Sequence, residues 1–467
     1  MTTSLSRRAF LATGAMAALP AAASAQPTLT LAKRSLEVNG QPASVFGLTG
    51  PDGQPGLTLA SGARFAATVQ NRCGEASIIH WHGQTPPAAQ DGVTDTGYAG
   101  PIANGASRGY DFAPRSGTHW MHSHQGLQEQ QLMAAPLIVR TEDDLRLDAQ
   151  EAVVLLHDFT FRNPAEILAE LTARGRQGGM MGSGTAMGGM MGNGGGMMSG
   201  MDFNDVDFDA YLANDRTLRD PQIVRASPGE QIRLRLINGA TATSFWIDLG
   251  TLSGQLIAVD GDPVQPVSVR RFPLAGAQRA DILLRLPGAG AFPVLAQREG
   301  GRERTGLIIA TPEAAITKLA EFADIPSAPC GLNLEARLTA AQPLAPRAPQ
   351  RGYQLHLTGS MMGYDWGING RQWANHEELT VKQGERVVFD LINDTMMAHP
   401  MHLHGHHFQV VALNGTPMAG AMRDTVLVPP RGAVRIAFDA GNPGRWLFHC
   451  HNLYHMASGM MTEVVYA

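Results

Sequence analysis

The tripeptide His449-Cys450-His451, near the end of this 467-residue chain, constrains fold and chemistry more than any other feature of the sequence. Successive side chains of a β-strand point to opposite faces, so a strand here would send the thiolate one way and both imidazoles the other. Two groups of metal-binding side chains would then be joined through a few covalent bonds. His455 and Met460 follow, and a thiolate, two imidazoles and a weak axial thioether form a blue-copper electron-transfer site.

Three further His-x-His elements lie upstream, at 80/82, 122/124 and 402/404. Period two places both imidazoles of such a pair on one face of a strand. A single pair is more often structural or accidental, but ten of the sixteen histidines of this chain fall into clusters. Four converging pairs offer eight imidazole nitrogens, enough for three copper ions. The second imidazole of the blue-copper site comes from the cluster that runs from His399 to His404.

These elements, in this order, resemble the multicopper oxidases, and the resemblance covers both ends of the chain. The segments from His122 to Gln130, from Asn393 to His399 and from His449 to Met461 are most similar to the periplasmic copper-resistance oxidases. The resemblance implies four copper ions: one type 1, one type 2 and two type 3. It assigns the type 1 ion to His399, Cys450, His455 and Met460, the type 2 ion to His80 and His402, one type 3 ion to His82, His122 and His451, and the other to His124, His404 and His449.

The resemblance also implies the reaction. A reduced substrate gives electrons one at a time to the type 1 copper, Cys450 passes them to His449 and His451, and four electrons reduce O2 to two waters. We expect Cu(I) as the substrate, in copper tolerance. The alternatives are a laccase that oxidises phenols and, from another class, a copper-sequestering protein that needs no turnover.

Asp91 matches the acidic residue that the family places near the type 2 copper, and we expect it to relay protons. The alternative is an ordinary turn aspartate beside Gly92. Met456 departs from the pattern, because many laccase-like relatives carry an acidic residue directly after the second type 1 histidine. This departure agrees with the copper-resistance branch.

Residues 178–201 hold eight methionines, and glycine, serine and asparagine fill nearly all the rest. The composition predicts a flexible loop outside the core. A simple spacer needs no methionine, whereas thioether sulfur is a soft ligand suited to Cu(I). We therefore expect copper capture, and the alternative is a loop with incidental methionines. The candidate Cu(I) ligands are Met180, Met181, Met187, Met190, Met191, Met197, Met198 and Met201.

Met397 is a further candidate ligand for substrate Cu(I). It lies two residues before His399, where the cuprous oxidases that this chain resembles place a thioether. The aspartate that accompanies the thioether in those enzymes is replaced by Thr395, with Asp394 adjacent. The substrate site is therefore only partly matched.

The body of the chain predicts an all-β fold. Residues 64–70 and 231–237 alternate polar and apolar side chains, and glycine and proline punctuate such runs. A short strand that ends in asparagine recurs three times, at Asn71, Asn238 and Asn393. The resemblance makes these parts three cupredoxin-like Greek-key β-sandwich domains. The predicted divisions are domain 1 at 26–145, domain 2 at 146–335 with the Met-rich insertion at 178–201, a linker at 336–350 and domain 3 at 351–467.

The position of the histidines predicts where the multi-histidine site lies. His157 is the only histidine between His124 and His356, so the middle domain has no ligand set. We therefore expect this site between the first and third domains. Cys73 and Cys330 remain beside Cys450, and the sequence leaves open whether they form a disulfide.

The N-terminus predicts export through the twin-arginine (Tat) machinery. Arg7 and Arg8 precede an apolar run, and Ala23-Ser24-Ala25 fits signal-peptidase cleavage, so residues 1–25 are expected to be a signal peptide. The apolar run is shorter than the ~20 residues of a membrane span, so we expect an exported or periplasmic protein without a stable anchor. A net charge of −5 argues against a nucleic-acid partner. We expect a monomer.

Overall fold

The computed structural model describes residues 26–180 and 203–467. The predicted signal peptide and the methionines from Met181 to Met201 lie outside the described residues. Met180 is the last residue of a helix. No helix among the described residues is long and apolar enough to cross a membrane.

The first part of the chain forms two four-stranded sheets, in the orders β2-β1-β4-β6 and β3-β8-β7-β5. Their strands are β1 Thr28–Val38, β2 Gln41–Thr49, β3 Leu57–Leu59, β4 Phe65–Arg72, β5 Ile79–His82, β6 Ser107–Phe112, β7 Gly117–Ser123 and β8 Ala134–Val139. Side chains from both sheets, such as Leu31 and Trp81, share one hydrophobic core. Burial alternates along β4, as its sequence predicts.

The middle part forms a six-stranded sheet, β10-β9-β12-β17-β14-β15, and a five-stranded sheet, β11-β19-β18-β13-β16, around a second core. The strands are β9 Gln150–Phe159, β10 Ala210–Ala213, β11 Ile223–Arg225, β12 Gln231–Asn238, β13 Phe245–Asp248, β14 Gly254–Val259, β15 Asp262–Val269, β16 Arg271–Leu274, β17 Arg279–Arg285, β18 Ala291–Arg298 and β19 Arg304–Ala310. His157 lies in β9, where its Nδ1 is 3.0 Å from the Gly239 carbonyl oxygen.

The last part forms a seven-stranded sheet and a five-stranded sheet, and the second of these has the order β22-β31-β30-β24-β28. The strands are β20 Arg351–Thr358, β21 Gly367–Ile368, β22 Leu379–Val381, β23 Arg386–Asn393, β24 His399–Leu403, β25 Phe408–Leu413, β26 Thr416–Pro417, β27 Met422–Arg423, β28 Thr425–Val428, β29 Ala433–Asp439, β30 Arg445–Cys450 and β31 Met461–Tyr466. The α-helices are α1 Glu142–Arg146, α2 Pro164–Met180 and α3 Leu453–Ala457. The all-β prediction is confirmed.

The repeated asparagine closes the same kind of turn in each part. The side-chain oxygens of Asn71, Asn238 and Asn393 each accept the backbone N–H two residues later, at 2.9–3.1 Å. Their amide nitrogens each donate to two carbonyl oxygens or more. A buried asparagine thus satisfies polar backbone groups at the end of each strand. Only the third of these turns leads into a clustered histidine, His399.

Strand β12 shows how the first and middle parts pack together. Its alternating sequence is typical of a strand with one solvated face, yet Arg233 and Arg235 are buried. Both arginines bind the carboxylate of Asp281 on β17, and Arg235 also donates to the Thr118 hydroxyl on β7 at 2.9 Å. The polar face of β12 is therefore covered by the first part of the chain rather than by water.

Two predicted connections can be followed in the structure. The linker at 336–350 is anchored on both sides, because the Ala341 N–H donates to the Pro263 carbonyl at 3.0 Å and the Leu344 N–H donates to Gln409 at 3.1 Å. The possible disulfide is absent: Cys73 and Cys330 are each buried and free among the described residues. They belong to different hydrophobic clusters.

A buried carboxyl in the middle part gives the fold a pH dependence. Glu299 is 4% exposed and accepts the backbone N–H of Cys330 at 2.5 Å. Burial raises the pKa of the Glu299 carboxyl from its ordinary 4.5 to about 7. Between these two values the folded state binds more protons than the unfolded state, so stability falls as the pH rises through this window.

We expect Glu299→Gln to remove this pH dependence, because the amide keeps an acceptor for Cys330 but does not ionise. As the pH rises from ~4.5 to ~7, the free energy of unfolding of the variant should increase by up to about 3 kcal/mol relative to that of the parent. Denaturant unfolding of copper-free protein at pH 5 and pH 8 measures the difference. Exposed Glu377→Gln is the control and should follow the parent. The same pH dependence in parent and Glu299→Gln would refute the assignment.

Candidate metal centres

The first candidate centre forms where β24 and β30 lie side by side. Their antiparallel register pairs Met401 with Cys450, which brings the cysteine next to His399 at the start of β24. Cys450 Sγ lies 3.6 Å from His399 Nδ1 and 3.7 Å from His455 Nδ1, and the two Nδ1 atoms are 3.1 Å apart. Helix α3 returns His455 to the strand end, and Asn452 caps its first turn.

The surroundings of this thiol are dry and favour a bound cation. Cys450, His455 and Met460 are 0% exposed, and the ring of Trp366 lies 4.2 Å from the ring of His455. Burial raises the pKa of the Cys450 thiol well above its ordinary value. A thiolate at this position therefore needs a positive charge beside it, and a soft metal ion held by sulfur and imidazole supplies one.

The outer nitrogens of both imidazoles face polar side chains. The Thr395 hydroxyl is 2.8 Å from His399 Nε2, and Asp205 Oδ2 is 3.0 Å from His455 Nε2. Asn452 Nδ2 donates to the same Asp205 oxygen at 2.8 Å. Sequence reasoning did not identify Asp205. The available signal was the acidic run that directly follows the Met-rich segment.

The second candidate centre gathers all four His-x-His pairs. Register pairs His80 with His122 across β5 and β7, and His402 with His449 across β24 and β30. Ligand atoms within each of the following sets lie within 4.8 Å of one another: His80, His82 and His402; His82, His122 and His451; His124, His404 and His449; and His80, Asp91 and His404. All these residues are buried, and the histidines come from the first and third parts of the chain.

Hydrogen bonds decide which imidazole nitrogens face the interior of this cluster. Four Nδ1 atoms lie against accepting oxygen atoms at 2.8–2.9 Å: that of His80 against the Asp91 carbonyl, that of His404 against the Asp91 carboxylate, that of His402 against the Asp424 carbonyl and that of His449 against the Cys450 carbonyl. The protons therefore sit on Nδ1, and the Nε2 atoms present lone pairs. His404 Nε2 and His449 Nε2 face each other at 2.9 Å. Lone pairs this close repel unless a cation lies between them.

The remaining ligand atoms point to the same conclusion. Among the described residues, no hydrogen-bond partner lies near His82 Nδ1 or near the Nε2 atoms of His122, His124 and His451, although all four are buried. Burial lowers the pKa of His82, His122 and His124 well below the ordinary value, so these imidazoles are neutral. A neutral imidazole with a free lone pair is a ligand for copper, and the residues therefore fit copper ions.

Carboxylates from two separate loops lie beside the histidine cluster. Glu129 Oε2 lies 2.8 Å from His122 Nδ1, and burial raises the pKa of Glu129 to about 7. The Asp424 carboxylate lies 3.1 Å from His82 Nε2, where an imidazole N–H donates to it. Sequence reasoning did not identify either residue. Glu129 lay within the segment that matched the family, whereas nothing near Asp424 in the sequence marked it.

Asp91 lies inside the cluster and also ends a tight turn. Its Oδ2 accepts from His404 Nδ1 at 2.8 Å, and its Oδ1 is 3.3 Å from His80 Nδ1. Gly92 has a φ of 82°, and a Cβ there would clash with the carbonyl of Ile79 on β5. Close packing of this turn on β5 thus requires glycine and holds the Asp91 carboxylate against two clustered histidines.

A cavity of about 450 Å³ reaches the histidine cluster from the surface. Its lining includes His124, Asp95 and Met456, together with Leu168 from helix α2. Asp95 Oδ2 lies 3.8 Å from His124 Nδ1. The cavity is therefore a route by which small molecules can approach the cluster, and Asp95 rather than residue 456 brings a carboxylate to it.

Comparisons with known proteins agree with this geometry. Three family models described as multicopper oxidase match residues 346–467, 30–144 and 150–317. The multicopper oxidase MmcO of Mycobacterium tuberculosis is 33% identical over 97% of this chain and 91% of its own length. The chain belongs to the multicopper oxidase family. The predicted family is thereby confirmed, and this multicopper oxidase is an oxidoreductase that uses copper ions.

Two further similarities concern the branch and the fold. Copper resistance protein A of Escherichia coli is 29% identical over 96% of this chain and 94% of its own length, which agrees with the copper-resistance branch. The crystal structure of Fet3p, a multicopper oxidase that functions in iron import, superimposes with a TM-score of 0.78 and 19% identity, over 94% of this chain and 90% of that one. The predicted fold of three cupredoxin-like domains is confirmed.

Proposed function

We propose that this multicopper oxidase couples the one-electron oxidation of Cu(I) to the four-electron reduction of O2 to water. The observation that carries the oxidase chemistry is covalent continuity between the two candidate centres. Cys450 lies in the first centre, and its chain neighbours His449 and His451 lie in the second. An electron accepted at the first centre therefore has only a few bonds to cross.

The proposed ligand sets follow the family and are compatible with the geometry. Type 1 copper is held by His399, Cys450, His455 and Met460; type 2 copper by His80 and His402; and the type 3 pair by His82, His122 and His451 and by His124, His404 and His449. When bound, the four copper ions supply the electron transfer and the reduction of O2. Asp91 holds the N–H of His404 and is placed to move protons at the cluster.

Cu(I) as the substrate is supported by where the Met-rich segment is attached. Before it, Ile167 and Leu171 of helix α2 pack into the hydrophobic cluster that contains Cys450 and Met460. After it, Val206 packs into the same cluster and Asp205 lies beside His455. The chain on both sides of the methionine-bearing segment thus packs on the domain that carries the type 1 site, and this tethering raises the local concentration of any Cu(I) that the segment binds.

Met397 supports the same substrate from inside the third domain. It is 8% exposed, and its backbone N–H donates to the Thr395 hydroxyl at 3.2 Å. The same hydroxyl is 2.8 Å from His399 Nε2. The Thr395 hydroxyl therefore links the backbone of Met397 to the type 1 ligand His399. This threonine stands in the place of the expected aspartate.

The alternatives make different demands on the same sites. Oxidation of phenols by a laccase needs the same two centres but no methionines. Copper sequestration without turnover needs soft ligands but not two joined centres, and the complete ligand set counts against it. We further propose export by the Tat signal at 1–25 to the periplasm, and the domain boundaries given above remain predictions.

Deletion of residues 178–201, the Met-rich insertion, tests the substrate. We expect weaker Cu(I) oxidation at low copper because the tethered reservoir is lost, while oxidation of dimethoxyphenol stays equal or increases. Oxygen uptake with each substrate, on intact and deleted protein, measures both rates. A variant in which leucine replaces the methionines of this segment keeps the length of the chain and removes the thioethers, so it controls for the shortening that the deletion causes. Equal losses with both substrates, or no loss with Cu(I), would contradict Cu(I) capture, and oxygen uptake with neither would favour sequestration.

A further inference from the structure

The middle domain contributes no clustered histidine, yet one of its arginines reaches the histidine cluster. Arg279 is the first residue of β17 and is 0% exposed. Its guanidinium grips the Asp424 carboxylate with two nitrogens: Nη1 donates to Oδ1 at 2.7 Å, and Nη2 donates to Oδ2. Such a bidentate contact fixes both the position and the rotation of a carboxylate.

Asp424 in turn contacts two histidines assigned to different copper ions. Its Oδ1 accepts from His82 Nε2 at 3.1 Å, and its backbone carbonyl accepts from His402 Nδ1 at 2.9 Å. The Thr425 hydroxyl donates to the same Oδ1 at 3.0 Å and supports this orientation. Each contact places the proton on the outer nitrogen of the imidazole and leaves the other nitrogen free to bind metal.

The residue after His82 shows how closely this arrangement is packed. Gly83 has a φ of 83°, and a Cβ there would lie 2.6 Å from Asp424 Oδ2 and would overlap the Arg279 guanidinium. The ion pair therefore packs directly against the backbone next to His82. A change in the position of the guanidinium or the carboxylate is transmitted to this ligand.

We propose that Arg279 is a positioning residue, which orients His82 and His402 by holding the Asp424 carboxylate. The middle domain thereby controls the retention of type 2 and type 3 copper. The inference rests on the ligand sets given under the proposed function. Arg279 also donates to the Thr118 carbonyl at 3.2 Å and so touches all three domains. A purely structural role would weaken every copper site together, whereas positioning affects the histidine cluster selectively.

The test compares two buried arginines that both contact Thr118. Arg279→Gln removes the clamp, and Arg235→Gln removes an equally buried arginine whose carboxylate partners are Asp281, Glu151 and Asp144. Full-length protein is loaded with copper, and the type 1 and type 2 signals are measured by electron paramagnetic resonance and the type 3 site by its near-ultraviolet absorption. Chelator titration then gives the copper affinity at each site.

We expect Arg279→Gln to keep full type 1 copper while the histidine cluster binds copper about 10–100-fold more weakly. Arg235→Gln should lower the unfolding temperature and keep all three signals in the parental proportion. The copper affinity of the histidine cluster in Arg279→Lys should lie between those of the parent and Arg279→Gln, because lysine keeps the charge without the bidentate contact. This variant also decides the question if Arg279→Gln does not fold.

Several outcomes would overturn the inference. One is parental affinity of the histidine cluster for copper in both Arg279 variants, and another is an equal loss of type 1 copper. A third is selective loss of type 2 and type 3 copper in Arg235→Gln, which would show general loosening between domains. A parent protein without type 2 and type 3 signals would instead overturn the proposed function, and this inference with it.

Discussion

Replacing Cys450 by serine is expected to abolish both the blue colour and the oxidase activity. The cysteine sulfur lies 3.6 and 3.7 Å from the Nδ1 atoms of His399 and His455, and it is the only thiol of this centre. A hydroxyl cannot form the charge-transfer bond that a thiolate forms with copper. Visible absorption, total copper and oxygen uptake measure the effect. Some copper should remain, since the histidine cluster keeps its ligands.

The control for this substitution is Cys330→Ser. Cys330 is also buried, at 2% exposed, but it packs with Ala275 and Leu427 and belongs to none of the candidate ligand sets. This variant should stay blue and active, with at most some loss of stability from a hydroxyl in an apolar site. A Cys450→Ser protein that is still blue would show that the type 1 assignment is wrong.

Asp91→Asn is expected to slow the reoxidation of the reduced enzyme in air by roughly 10²-fold or more. The amide oxygen can still accept the His404 N–H, which the carboxylate accepts at 2.8 Å in the parent, so copper should be retained. The amide cannot take up and release protons, so proton transfer at the cluster slows. Stopped-flow absorption separates the two steps, and reduction of the type 1 site should be unchanged.

Asp91→Ala distinguishes proton transfer from positioning. Alanine removes the acceptor for His404 as well as the carboxylate, so copper in the histidine cluster should fall along with the reoxidation rate. Reoxidation of Asp91→Asn at the parental rate would exclude the proton relay, and if Asp91→Ala also keeps its copper, Asp91 is a turn residue beside Gly92 and no more.

Local spacing in the sequence was sufficient to predict an all-β fold and the convergence of the His-x-His pairs, whereas the family and the division into ligand sets came from the resemblance of its motifs. The period of a strand places both members of a His-x-His pair together, and the four pairs do converge in one cluster. Alternation also predicted the burial pattern of β4. These features depend on backbone geometry within a few residues, which is the same in any surrounding.

Only the tertiary structure decided which polar groups surround those histidines. Asp424 lies 342 residues from His82 in the sequence, and Arg279, which grips it, comes from a domain without clustered histidines. Asp205 likewise reaches His455 from the far side of the Met-rich segment. Such contacts depend on how separate domains pack, and no local periodicity encodes that packing.

The same distinction explains the polar face of β12. Its alternation is that of a half-solvated strand, but docking of the first domain covers Arg235 with Thr118, and Asp281 of β17 neutralises its charge. The sequence by itself determined the strands, the repeated asparagine turns and the metal-binding side chains. The assembled domains decided which carboxylates orient the histidines, because a buried charge is tolerated only where a partner from another strand or domain neutralises it.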